Sequence, residues 1–71
     1  MKQTLLDALQ SKYESDIQMA DATLQIYLNN SVGIGEHAQH LEEIDKLVNK
    51  IAEAKDKLEV LNEFEPEKTI L

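Results

Sequence analysis

His37 and His40 stand three residues apart, with Glu36 four residues before His40 and Glu43 three after it. On a helix such spacings bring side chains onto one face. Two imidazoles and two carboxylates there form a donor set that suits zinc or another divalent transition metal, with missing ligands supplied by a second chain. As a metal site the set is thin. Di-metal bundle sites draw inward carboxylates from several helices, and the rest of the chain offers only Asp16 near a matching position. The competing reading is structural, with His37 capping a helix or meeting Tyr27 and His40 closing the end of a bundle. Imidazole also suits general acid–base work near neutral pH. No serine or cysteine nucleophile falls beside these histidines, however, so neither an enzyme activity nor a cofactor is expected. Gly33-Ile34-Gly35 ahead of a helix has the look of a phosphate loop but lacks the third glycine and the lysine. Glu36 would repel a phosphate there, and the pair is read as a turn.

Two long arms must position these residues. Between Thr4 and Asn29 the residues Leu6, Leu9, Tyr13, Ile17, Ala20, Leu24 and Tyr27 recur at steps of three and four, the spacing of one helical stripe. Thr4, with Asp7 three residues on, is the expected N-cap. From Glu36 to Glu65 the pattern becomes a heptad repeat. His37, Ile44, Ile51 and Leu58 take one core position and His40, Leu47, Ala54 and Leu61 the other, with Leu41 and Val48 widening the seam. Glu42 with Lys46, and Glu53 with Lys57, are spaced for surface ion pairs. Glu65 before Pro66 ends the helix, because a residue preceding proline disfavours the helical region. Phe64 departs from the seam, and residues 66–71 are expected to form a flexible tail from which Ile70-Leu71 can dock.

Between the arms, Asn29-Asn30 tolerate the left-handed conformation that closes many helices, and Gly33 and Gly35 supply freedom for the reversal. The expected architecture is all-α, a single domain over 1–71. It is an antiparallel two-helix hairpin with arms at about 4–29 and 36–65, dimerising into a four-helix bundle or coiled-coil-like assembly. Antiparallel pairing places Tyr27 near His37 and His40 at the turn, and Leu6 near Leu61 and Phe64 at the open end. Val32 and Ile34 are too apolar to favour water. With Gly33, Gly35 and His37 they make the turn a partly buried corner and a candidate recognition site.

A second stripe runs along the first arm. Leu5, Met19 and Ile26 are separated by multiples of seven on the far side from the seam, with Ala8 and Ala22 beside them and Lys12 and Ser15 interrupting. Scattered apolar exposure, common on monomers, is one explanation. The other is that the arm lies between its own partner arm and a second chain, with Leu5, Met19, Ala22 and Ile26 as the self-association or partner face. Size favours the second. The chain has 71 residues and no cysteine, and chains this small need disulfides, a metal or oligomerisation to supplement a thin core.

Seven lysines, no arginine and fourteen acids give a net charge of −7. Lys2 and Lys12 against four acids leave −2 up to Asn30, and four lysines against nine acids leave −5 over Glu36 to Glu65. This sign opposes direct binding to nucleic acid or to an anionic membrane surface, both of which need clustered basic residues. The partner it allows is a protein with a basic or an apolar surface, and an acidic inhibitor lying in the basic groove of a nucleic-acid enzyme is one such case. No apolar run reaches the ~20 residues of a membrane span, and Met1-Lys2-Gln3-Thr4 leads directly into the patterned arm without a secretory core. A cytoplasmic protein is expected.

The stretch from Ile26 to Leu47, IYLNNSVGIGEHAQHLEEIDKL, resembles small uncharacterised proteins of marine T4-like tailed phages, most closely over Val32 to Glu43. Relatives carry proline in place of Ser31 and Ala38, and proline at Ala38 suits the first turn of a helix. The family brings no function. What it implies is a setting: a virion or assembly component, or an early protein that binds a host factor in the infected cell. In length and topology the chain also resembles plasmid-copy-number regulators of the Rop type. Those present basic residues on their first helices, where this chain has only Lys2 and Lys12, so that likeness extends to the architecture and not to RNA binding.

Overall fold

A computed structural model describes residues 1–30 and 38–64. The expectations placed on Ser31 to His37, on the Ala38 side chain and on Glu65 to Leu71 lie outside the described residues. Within them the chain is two helices, α1 (Lys2–Asn29) and α2 (Ala38–Phe64), packed against each other. Tyr27 of α1 meets His40 of α2, while Tyr13 meets Lys57. Moving back along α1 therefore means moving forward along α2, and the helices are antiparallel.

The start of α1 corrects one expectation. Thr4 is not the N-cap: the helix begins a turn earlier, at Lys2, with Met1 in the cap position and no side-chain cap bond. Leu5 N–H donates to Met1 C=O at 3.1 Å. Lys and Gln are better helix formers than Thr, so continuing the ladder through Lys2-Gln3 outweighs one side-chain cap at Thr4. At the other end Asn30 has φ −113° and is not left-handed; its N–H still reaches Ile26 C=O at 3.1 Å.

Both helices follow the same register. The side chains withdrawn from water along α1 are Leu6, Gln10, Tyr13, Ile17, Ala20, Leu24 and Tyr27, with Asp16 at the margin; those of α2 are His40, Ile44, Leu47, Ile51, Ala54, Leu58 and Leu61. Each series alternates steps of four and three without a break, the seven-residue repeat of a left-handed coiled coil. Three expected core residues are not in it. Leu9, Leu41 and Val48 are exposed, at 38%, 57% and 49%. The repeat selects position 10, four after Leu6 and three before Tyr13, even though Gln10 is polar and Leu9 is not. Leu41 and Val48 each follow a seam residue by one step, which is ~100° around the helix.

This core is narrow. Among the described residues the buried hydrophobic ones are Ala20, Ala54 and Leu61, and no side chain falls below 2% exposure. The molecule measures 49 × 19 × 17 Å with a radius of gyration of 15.7 Å, whereas a compact chain of this length would have ~11 Å. It is an elongated rod of two packed helices.

Candidate functional site

Of the imidazole and carboxylate set, two members fall within the described residues. His40 is half-buried in the seam, its ring edge-to-face with Tyr27 at 5.9 Å between centroids and 61° between planes. Glu43 Oε1 accepts from Lys46 Nζ at 3.3 Å. Among the described residues no group of three or more His, Cys, Asp and Glu is placed to hold a metal; Glu36 and His37 lie outside them.

The heptad pairing expected between Glu42 and Lys46 is replaced by Glu43 with Lys46. Lys57, expected on Glu53, instead holds its ammonium 5.3 Å from the centre of the Tyr13 ring. Lys12 approaches the same ring at 5.9 Å and pairs with Asp16 at 2.9 Å. Tyr13 thus carries one cation from each helix, contacts worth ~0.5–1 kcal/mol apiece at exposed sites. Nothing in the spacing of α1 alone signals Lys57, because the contact depends on the hairpin register.

The outer stripe of α1 is open to water: Leu5 is 60% exposed, Met19 64% and Ile26 67%, with Ala22 exposed beside them. Its polar side chains find partners within their own helix. Ser15 Oγ donates to Met19 Sδ at 3.7 Å, and Thr23 Oγ1 donates to Met19 C=O at 3.0 Å. Lys12, the charge that interrupts the stripe, has its ammonium on Asp16 and over Tyr13, both nearer the seam. The face is therefore less polar than its composition, since each of its polar groups already has a partner when water leaves.

Where Ala20 is small, a notch of about 120 Å³ opens between the helices, lined by Asp16, Met19, Ala20, Thr23, Leu47 and Lys50. A second hollow, of about 200 Å³, is lined by Gln10, Glu14, Leu58, Leu61 and Asn62. The two lie on opposite sides of the helix pair. Met19 belongs to the first side. Leu41 and Val48, which precede Asn62 by multiples of seven, belong to the second. Both hollows are smaller than the ~300–1,000 Å³ of typical small-molecule pockets. A larger depression of about 460 Å³ is lined by α2 residues alone, from Asp56 to Glu63; one face of one helix encloses nothing.

Comparison with known proteins found no matching family model and no similar characterised protein or solved structure. No helix among the described residues is long and apolar enough to cross a membrane.

Proposed function

We propose that the chain is a non-enzymatic, acidic protein–protein interaction module, a helical hairpin whose outer faces bind itself and one other protein. The observation that carries this reading is the stripe Leu5, Met19, Ile26, exposed along most of α1 while every polar group interrupting it is engaged within the helix. A hairpin needs one seam. A second apolar row with its polar groups already paired serves a contact that the isolated chain does not make. The phage setting, as a virion or assembly component or a host-factor-binding protein of the infected cell, rests on the resemblance of the Ile26–Leu47 stretch.

The test compares the wild-type chain with Met19→Asp in a capture experiment from lysate of the candidate host, with circular dichroism showing that both are equally helical. The module reading expects a species retained by the wild type and lost with the variant. Identical retained species, with wild type and variant also at the same single-chain mass, would end it, because the stripe would then bind neither a copy nor another protein.

A further inference from the structure

Resting on the interaction reading, we infer that the occupant of the α1 outer stripe is a second copy of this chain, and that the two α1 helices cross it antiparallel about a two-fold axis between Ser15 and Asp16. The chain exposes more surface than a compact fold. The chain exposes 5588 Å² at a mass of 8.1 kDa, whereas a compact monomer of that mass exposes ~4,500 Å². The excess, on the order of 1,000 Å², is comparable with the ~800 Å² that each partner buries in a standard stable interface. An elongated hairpin exposes more surface than a compact fold of its mass, and the apolar α1 stripe is part of what it exposes.

The stripe itself is self-complementary. Its heptad line reads Leu5, Lys12, Met19, Ile26. An antiparallel copy centred between positions 15 and 16 lays Leu5 against Ile26 of the other chain and Lys12 against Met19, so apolar ends meet apolar ends and a lysine stem lies along a thioether. The notch at Ala20, bordered by Met19 and Thr23, then lies beside this line, where a coiled-coil hole receives a knob.

Charge chooses the direction. Lys12 and Asp16 are already paired at 2.9 Å within one helix. About the antiparallel axis, Lys12 of one chain comes within about one turn of Asp16 of the other, giving a ring of alternating charge. A parallel copy would set Lys12 beside Lys12 at the same level, which is repulsive, whereas the antiparallel axis holds the two lysines about seven residues, ~10 Å, apart along the helix. The stripe lies on the flank of α1 away from Leu41 and Val48, so this pairing leaves the other side of the hairpin uncovered for a different protein.

Because the chain has no cysteine, single cysteines report the pairing directly. Three full-length variants, Ser15→Cys, Leu5→Cys and Ile26→Cys, are oxidised mildly at micromolar concentration, alone and in mixtures. A disulfide needs Cα atoms ~4.4–6.8 Å apart, and positions 5 and 26 are ~30 Å apart along a helix. The pairing predicts that Ser15→Cys cross-links with itself, and that Leu5→Cys and Ile26→Cys cross-link only when mixed. Self-linking of Leu5→Cys and of Ile26→Cys would show a parallel dimer, and no cross-link in any sample would show no dimer on this face; either result overturns the inference. A chain that fails here yet loses a lysate partner on Met19→Asp overturns the pairing and leaves the interaction reading standing.

Discussion

The ring of Tyr27 meets the ring of His40 edge to face at 5.9 Å, one from each helix, at the end of the hairpin where the chain reverses. Both are half-buried, in the last α1 layer and the first α2 layer of the seam. Aromatic pairs in this geometry contribute ~0.5–1.5 kcal/mol beyond their buried area. A double-mutant cycle of Tyr27→Leu and His40→Leu, followed by urea unfolding at fixed protein concentration, should return a coupling of about that size. A coupling near zero would mean that the rings are neighbours without being partners.

The register makes a sharper prediction at Gln10. This polar side chain occupies a seam position while Leu9, beside it, is exposed. Gln10→Leu should stabilise the hairpin by ~1 kcal/mol, about half the gain of fully burying a leucine. Leu9→Gln should cost less than that. If Leu9→Gln were the more damaging change, the seam would run through position 9 instead.

Much of the architecture is legible in the residues, and Leu9 shows where legibility stops. Two arms with steps of three and four, divided by a segment holding both glycines, specify an all-α hairpin, and the heptad line from His40 to Leu61 places α2 almost residue by residue. In α1, hydrophobicity and periodicity disagree at positions 9 and 10, and choosing the apolar residue picks the wrong one. The repeat wins because backbone geometry fixes which positions face the partner helix, and a single glutamine costs too little to shift a register shared by six other layers. Thr4 fails for a similar reason, since capping chemistry yields to a further turn of helix. On the candidate site, the spacing of Leu5, Met19 and Ile26 reveals the outer stripe, but the within-helix bonds of Ser15 and Thr23 depend on rotamers that sequence does not specify. The Lys57–Tyr13 contact requires the inter-helix register as well.

Ala20 and Ala54 are each 3% exposed. Their small side chains set how closely the helices approach, and in a rod this thin there is little slack elsewhere. Ala54→Leu should destabilise by ~1–3 kcal/mol through overpacking, despite leucine's good helix propensity. Thermal unfolding monitored at 222 nm measures it, and an unchanged or raised midpoint would show that the seam has room.

Lys57 contributes through Tyr13 rather than through an acid. Lys57→Gln, which keeps most of the stem and removes the charge, should cost ~0.5 kcal/mol in the wild type. In a Tyr13→Leu background it should cost nothing. An equal loss in both backgrounds would assign the effect to general charge balance in a chain of net charge −7.

If the α1 outer stripe meets a copy of itself, the chain self-associates in solution through Met19. Sedimentation equilibrium of the wild-type chain and of Met19→Asp, across a range from about 1 to 100 μM, tests it most directly. The prediction is a wild-type mass that rises to twice the 8.1 kDa of the chain, with the variant remaining at the single-chain mass at the same helix content. A wild type that stays at the single-chain mass throughout would contradict it.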